Sequence, residues 1–439
     1  MRKLFENEYH DGANQIRKDH KNILNRLRSI EEDAAFVKEI AALFPSLPLH
    51  KVHSVYFKST DGHMGQWDFN MRRSNLHLVD IIGQHGGCII VDSTRRGKRI
   101  PDSLSKTIPI WCSTFNRAIA KHRSLPWDTS FHSLPTAVSR SEHAQIEARI
   151  DEFAQRLLRS GTIDMDRISN MLKKPLRPLW YTPQSSIFIN DLPNFEEMPF
   201  YPVICLSASQ AVESGCQARP GYLYVQGSGD DQEAWCHGLT PRLFWQHRAL
   251  LLGSGSAAEC ETHARQLARS NDTEEDPSSS SSSSFNYIGQ TSIAIGSRLS
   301  GKPPSCWDTF DVIINCTPLE YDDNRKHKGY YLQLPIPEGK RGQQALFESI
   351  PTALAFVHDH LVENRRILIH CAKGQDRSVG IALAILVRYF DLQGNFTAEE
   401  KPYVNKEIIQ EHLMRIISSR PKASPSRATL KKVNTFFMS

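Results

Sequence analysis

The sequence predicts two α/β domains, the second built as a central sheet flanked by helices. Three observations predict this. The chain has 439 residues, more than one ordinary core encloses. An acidic stretch, Asn271-Asp272-Thr273-Glu274-Glu275-Asp276-Pro277, runs into serines from Ser278 to Ser284, a composition that buries no apolar surface. Beyond it, strand-length apolar runs alternate with helix-length ones. The expected organisation is a mixed α/β N-terminal domain over 1–268, a flexible linker over 269–286 and a second α/β domain over 287–439.

The N-terminal domain opens with two helical segments, Ala13 to Ile30 and Ile30 to Leu43. Val52 to Phe57 and Cys88 to Val91 have the β-branched and aromatic content of strands. Ser141 to Ser160 places Ile146, Ile150, Phe153, Leu157 and Leu158 on one helical stripe. A helix start is expected at Thr240-Pro241. In the C-terminal domain, strands are expected at Ile293–Gly296, Asp311–Cys316, Tyr330–Ile336 and Ile367–Ile369. Helices are expected over Ala345–Asn364, Val379–Val387 and Ile408–Ile417.

Composition narrows the class. No run of eighteen apolar residues occurs, so no membrane span is expected. Met1 to Glu8 has no apolar signal core, and nine scattered cysteines without a C-x-x-C pair favour free thiols. A cytoplasmic protein is the expectation. The net charge of +5 permits a nucleic-acid partner without requiring one.

The densest motif is His370-Cys371-Ala372-Lys373-Gly374-Gln375-Asp376-Arg377-Ser378, which fits H-C-x-x-G-x-x-R-S/T. It lies between an expected strand and an expected helix. Free backbone N–H groups and the helix dipole converge there, and an arginine six residues after the cysteine can grip two oxygens of one anion. Cys371, Lys373, Gly374, Arg377 and Ser378 are therefore candidate phosphate-binding residues, and Cys371 is also a possible nucleophile.

Three N-terminal stretches carry more polar groups than a scaffold needs. Lys58-Ser59-Thr60-Asp61-Gly62-His63 follows an expected strand and reads as a site or as a surface loop. Asp92-Ser93-Thr94-Arg95-Arg96-Gly97-Lys98-Arg99 opens from a strand end, where α/β proteins place ligands. Its four clustered cations call for an anionic partner, a phosphate-rich ligand or an RNA backbone, or else stand solvated. Ser103 and Lys106 can extend that site. Gln226-Gly227-Ser228-Gly229-Asp230-Asp231 offers hard oxygen ligands suited to Mg²⁺ held with substrate phosphates, or a general base, or an acidic turn without function.

On the Cys371 loop, the Asn315-Cys316 strand end and the Tyr330–Pro335 strand, residues 287–420 resemble the dual-specificity protein phosphatases. The resemblance implies a phosphatase-like fold with a thiolate nucleophile and a phosphate-binding arginine. It also implies an aspartic acid about thirty residues upstream as proton donor. Here Pro335-Ile336-Pro337-Glu338-Gly339-Lys340-Arg341-Gly342 holds no aspartate, and Glu338 is its one carboxylate. The loop therefore argues for phosphate binding more than for phosphatase turnover.

Nearly the whole chain resembles a single family, the fungal and plant initiator-tRNA phosphoribosyl transferases. The resemblance rests on Phe57 to His63, Val91 to Arg99, Pro109-Ile110-Trp111-Cys112, Gln226 to Asp231 and the Cys371 loop. It implies transfer of ribosyl 5-phosphate from phosphoribosyl pyrophosphate to a ribose 2′-OH in the T-stem of initiator tRNA, with Mg²⁺ as cofactor. On that reading Lys58, Ser59, Asp61, His63, Arg95, Arg96, Lys98, Lys106 and the Cys371 loop bind substrate. Asp230, Asp231 and Asp92 are the catalytic candidates, and Asp230 and Asp231 the metal candidates. Arg415, Arg420, Lys422, Lys431 and Lys432 form basic tails that contact RNA or stand solvated. No obligate protein partner and no membrane are implied. The competing readings are a cysteine phosphatase and a phosphate- or RNA-binding adaptor on a dead phosphatase fold.

Overall fold

The computed structural model describes residues 22–47, 55–57, 65–95, 97–159, 163–185, 197–230, 235–271, 284–327, 329–397 and 404–438. The chain divides into two compact units. One comprises Met1–Phe69, Leu78–Ala154 and Ser169–Pro277, the other Asn70–His77, Gln155–Ile168 and Ser278–Ser439. The acidic and serine-rich tract over 272–283 lies outside the described residues.

In chain order the first unit draws on helix α1 (Ile23–Ala42), most of α2 (Leu76–His85), strand β1 (Cys88–Asp92), helix α3 (Ile108–Arg123), most of α4 (Arg140–Arg159) and the end of α5 (Met165–Met171). Strands β2 (Leu176–Tyr181), β3 (Tyr201–Ser207), β4 (Cys216–Arg219) and β5 (Tyr222–Val225) follow, then helices α6 (Pro241–Gln246), α7 (Arg248–Leu252) and α8 (Ala257–Asn271). Asn22 caps α1, its side chain accepting from the amides of Leu24 and Asn25 at 3.0 and 3.2 Å. No glycine or proline interrupts the helix. The two helices expected to meet at Ile30 are therefore one, and the part of the first before residue 22 falls outside the described residues.

Strands β1, β3 and β2 form a parallel sheet in that order, with β3 in the middle. The edge position explains β2, whose Pro178 donates no backbone hydrogen bond and argues against a central strand. Asn116 of α3 clamps β2, exchanging hydrogen bonds of 2.9 and 2.8 Å with the Leu176 backbone. The strand expected over Val52 to Phe57 is not formed at residues 55–57, and residues 52–54 lie outside the described residues. Phe57 instead packs edge-on against Trp111 of α3 and stays half-buried.

The β4–β5 hairpin hangs on α1. Val225 N donates to Ser29 Oγ at 2.9 Å, and Tyr224 OH donates to Asp33 Oδ1 at 2.7 Å. Leu27 of α1 joins Trp235, Leu243, Phe244 and Leu251 in one buried cluster beneath α6–α8. As expected, Thr240 caps α6 with Pro241 at its first position.

The second unit carries β6 (Phe285–Tyr287), β7 (Ile293–Gly296), α9 (Ser305–Thr309), β8 (Val312–Asn315), β9 (Tyr331–Gln333), α10 (Gly342–Val362), β10 (Ile367–His370), α11 (Arg377–Tyr389), α12 (Lys406–Ser419) and α13 (Arg427–Met438). Its sheet runs β6-β7-β10-β8-β9, parallel except for β6. Central β10 is buried along its whole length, as its apolar sequence requires of a strand covered on both faces. Its side chains join Ile350 and Val357 of α10 and Val379 and Leu383 of α11 in the core. The strand expected over Tyr330–Ile336 covers only Tyr331–Gln333. Pro335 and Pro337 remove backbone donors, and the chain turns away with Ile336 N bonded to Leu334 O.

Candidate functional site

The first site forms where β1 ends. Asp92 closes the strand, and its carboxylate accepts from the Ser93 amide at 2.8 Å and from the Ser103 hydroxyl at short range. Ser103 opens a wide helical turn, Ser103–Thr107, that feeds α3. Burial raises the Asp92 carboxyl above its ordinary value. The two hydrogen bonds oppose that shift, and the charge of Asp230 adds to it.

The cationic loop and the acidic loop meet here. Gly227 has φ +70°, and a Cβ there would lie 2.7 Å from Arg95 Cγ and 2.9 Å from Thr94 O. Gln226 stitches the two together. Its Oε1 accepts from the amides of Gly97 and Val212 at 2.9 and 3.0 Å, and its Nε2 donates to Lys98 O at 2.8 Å. Arg95 Nε donates to Asp230 Oδ2 at 2.9 Å. The Asp230 carbonyl accepts from Arg26 Nη1 at 3.3 Å and from Trp235 Nε1 at 3.1 Å. Lys98 pairs with Asp102 at 2.9 Å, and Lys106 with Glu142 at 2.8 Å. Arg95, Lys98 and Lys106 are therefore each balanced by a carboxylate of the protein itself, rather than by a ligand or by solvent alone.

Asp92, Arg95, Lys98, Lys106 and Asp230 are thus brought into one neighbourhood. Lys58, Ser59, Asp61, His63, Arg96 and Asp231 lie outside the described residues. Sequence reasoning missed Asp102, Glu142, Gln226 as a bridge and Arg26. Of these, Asp102 had a signal, since it stands four residues after Lys98. Among the described residues no group of three His, Cys, Asp or Glu makes a metal cage. Asp92 and Asp230 are close enough for the charge of one to raise the carboxyl of the other.

The second site is the Cys371 loop between β10 and α11. Burial pushes the Cys371 thiol up. Hydrogen bonds from the Ser378 hydroxyl and from the amides of Ser378, Gln375 and Gly374 outweigh it, so the thiol titrates below its ordinary value. Ser378 Oγ lies 3.2 Å from Cys371 Sγ. Those converging donors form an anion cup at the start of α11. Arg377 is buried, and its Nη1 donates to Ile336 O at 2.9 Å while Nη2 stands 3.6 Å from Glu338. Glu338 is itself 75% exposed at its side chain, unlike an acid seated over a phosphate. Lys373 is exposed at the rim.

Arg420 belongs to this cup and not to a basic tail. It is 2% exposed, with Nε donating to Gly374 O at 2.9 Å and Nη1 to Asn286 Oδ1 at 2.8 Å. Arg415 also turns inward, donating to Leu392 O. Both sat in a run of cations, and nothing in sequence separates an arginine that holds carbonyls from one that faces water.

Residues 16–269 match the Rit1 N-terminal domain family, and residues 330–437 match the Rit1 DUSP-like domain family. An uncharacterized protein of Schizosaccharomyces pombe is 35% identical, covering 98% of this chain and 97% of its own. The tRNA A64-2′-O-ribosylphosphate transferase of Saccharomyces cerevisiae is 31% identical, covering 96% of this chain and 93% of its own. The crystal structure of human DUSP28 is similar over 36% of this chain and 94% of that one, with 14% identity and a TM-score of 0.27. No helix among the described residues is long and apolar enough to cross a membrane.

Proposed function

This chain belongs to the Rit1 family, and from that premise we infer that it is a transferase moving ribosyl 5-phosphate onto a ribose 2′-OH of initiator tRNA. The observation that carries the reading is the match, nearly end to end, to a relative named for transfer of ribosylphosphate to the 2′-O of A64 in tRNA. The donor we assign is phosphoribosyl pyrophosphate, and the acceptor lies in the T-stem.

In this reaction the 2′-oxygen attacks the anomeric carbon of the donor. The bond from that carbon to pyrophosphate breaks, the pyrophosphate leaves with the bonding pair, and the hydroxyl proton passes to a base. Asp92 suits the base, because burial lifts its carboxyl toward the working pH. Arg95 and Lys98 suit the donor phosphates once released from Asp230 and Asp102. Mg²⁺, held by Asp230 and Asp231, would neutralise charge on the leaving pyrophosphate. The Cys371 cup suits a phosphate of the donor or of the RNA backbone, with Arg377 swinging from Ile336 and Glu338 onto the anion.

The test supplies radiolabelled donor, Mg²⁺ and initiator tRNA to the full chain. Label entering the RNA supports the reading, and its absence overturns it. The depressed Cys371 thiol favours one second reading, a cysteine phosphatase. Release of phosphate from an aryl phosphate, lost in Cys371→Ser, would support that one.

A further inference from the structure

Asp33 stands on α1 where the helix carries the β4–β5 hairpin, and both of its carboxylate oxygens are engaged. Oδ1 accepts from the Tyr224 hydroxyl at 2.7 Å and Oδ2 from the Ser209 hydroxyl at 2.7 Å. Tyr224 and Ser209 are fully buried. Their chain neighbours reach the Asp92 site. Just before Ser209, the Ala208 amide donates to Asp92 O at 2.9 Å. Just after it, the Gln210 amide donates to the Tyr224 hydroxyl oxygen at 2.9 Å. Beyond Tyr224, Gln226 ties Val212 to Gly97 and Lys98 of the cationic loop. Asp33 therefore sits at the root of both segments that flank the site, the one leaving β3 and the one leaving β5.

A carboxylate costs stability in this place. Burial lifts the Asp33 carboxyl from its ordinary 3.8 to about 7, while the bonds from Tyr224 and Ser209 oppose that shift and the charge of Glu32 adds to it. The other charged and titratable groups around it are engaged with one another. Arg219 of β4 lies over the Tyr224 ring, its guanidinium carbon 5.2 Å from the centroid, and pairs with Glu32 at 3.0 Å. Tyr222 of β5 donates to Glu32, Arg28 donates to Gly221 O, and Arg248 of α7 pairs with Glu31 at 3.3 Å. The folded value stands above the unfolded one, so the associated stability is complete below 3.8 and lost as pH rises through about 7. Above that pH the native chain carries the Asp33 charge against its own stability. An asparagine would fill the same space without that penalty.

What the charge secures is a pair of acceptors. An ionised carboxylate accepts from both hydroxyls at once, through bonds strengthened by its charge. A protonated one must place its own proton, so one of the two hydroxyl protons loses its acceptor. We propose that Asp33 is a positioning residue for the Asp92 site, bracing through Ser209 and Tyr224 the two segments that hold Asp92 and the cationic loop in place. This rests on the reading of the Asp92 site as the donor site. The brace is tight with the carboxylate charged and slackens as pH falls through about 7.

The experiment compares full-length Asp33→Asn with the unaltered chain by amide hydrogen exchange, without donor or RNA. Asparagine has the shape of the protonated carboxyl and its single acceptor. The two chains are compared at each pH, so the intrinsic pH dependence of exchange cancels. At about pH 8.5 the fragment spanning Gln210 to Val212 exchanges roughly tenfold faster in the variant, the loss of one hydrogen bond to a charged group. At about pH 5.5 the two chains exchange alike, because Asp33 of the unaltered chain is then protonated. The thermal midpoint of the variant at the higher pH is no lower than that of the unaltered chain. The KM for phosphoribosyl pyrophosphate follows the same pattern, raised about tenfold at the higher pH and equal at the lower, with kcat changed less. Equal exchange at the higher pH overturns the proposal. So does an equal excess at both, or a lowered midpoint, either of which marks a contact that is merely structural. The expected exchange with an unchanged KM overturns the positioning role. A chain that transfers no ribosyl phosphate overturns the reading of the donor site, while exchange still decides the brace.

Discussion

Arg420 Nε donates to the carbonyl oxygen of Gly374 at 2.9 Å, so the anion cup is held from behind by an arginine forty-six residues downstream. Gly374 has φ +67°, and a Cβ there would meet Gly296 O at 2.5 Å and Arg420 Nη2 at 2.7 Å. The amides that face the Cys371 sulfur therefore depend on a glycine that cannot be replaced and an arginine that cannot withdraw. Arg420→Ala leaves buried carbonyls without a donor, and is expected to cost roughly 2–4 kcal/mol of stability in urea unfolding. Gly374→Ala is expected to weaken binding of inorganic phosphate at least about tenfold, the cost of strain at a positive φ together with backbone overlap.

Cys371 should react as a thiolate. Alkylation with iodoacetamide, followed against pH, is expected to titrate below the ordinary value of a free thiol, because hydrogen bonds to sulfur outweigh burial. Ser378→Ala removes the bond at 3.2 Å and should move that midpoint upward. A midpoint that does not move would show that the backbone amides alone set it.

The base assigned to Asp92 has its own signature. Asp92→Asn is expected to slow ribosyl transfer by about 10²–10⁴-fold with a smaller change in the KM for the donor. The acidic limb of the rate profile should lie above 3.8, since the Asp92 carboxyl is raised. The Ser103 hydroxyl lowers that carboxyl, so Ser103→Ala should push the limb to still higher pH.

His370 is 1% exposed, both ring nitrogens lack a hydrogen-bond partner, and burial lowers its pKa from 6.5 to about 4. Between those values the unfolded chain binds a proton that the native chain refuses. Its contribution to stability is therefore complete above pH 6.5 and lost as pH falls toward 4, amounting to roughly 3 kcal/mol. The thermal midpoint should fall across that window, and His370→Gln should flatten the fall.

Gln226 is the mechanical link between the cationic and acidic loops. Gln226→Leu keeps the volume but abandons the amides of Gly97 and Val212 and the carbonyl of Lys98. The KM for the donor is expected to rise by about tenfold or more, with stability lowered by roughly 2 kcal/mol.

The second unit was the more legible in sequence. Its strands β7, β8 and β10 are short apolar runs, and α10–α12 keep a clear period, so pattern alone places them. The first unit hid more. β2 carries Pro178 and two aromatics at a sheet edge, and β3 begins Tyr201-Pro202, so neither looks like a strand until the other is beside it. At the sites, residue types at strand ends were visible, as with Asp92 and Cys371. The partners of those residues were not. That Arg95 meets Asp230 across 135 positions, or that Arg420 reaches Gly374, follows from tertiary closure, to which local spacing is blind.

The Arg95–Asp230 pair has a consequence for selectivity. With this guanidinium already engaged, any incoming polyanion has to displace a carboxylate of the protein before it gains the arginine. A single backbone phosphate of RNA offers little for that exchange. A donor bearing a diphosphate and a chelated cation offers both halves at once, a new anion for Arg95 and a new cation for Asp230. On the proposed reading, the closed pair would act as a lock keyed to paired opposite charges, telling a donor with a diphosphate and a cation from the single phosphates of nucleic acid.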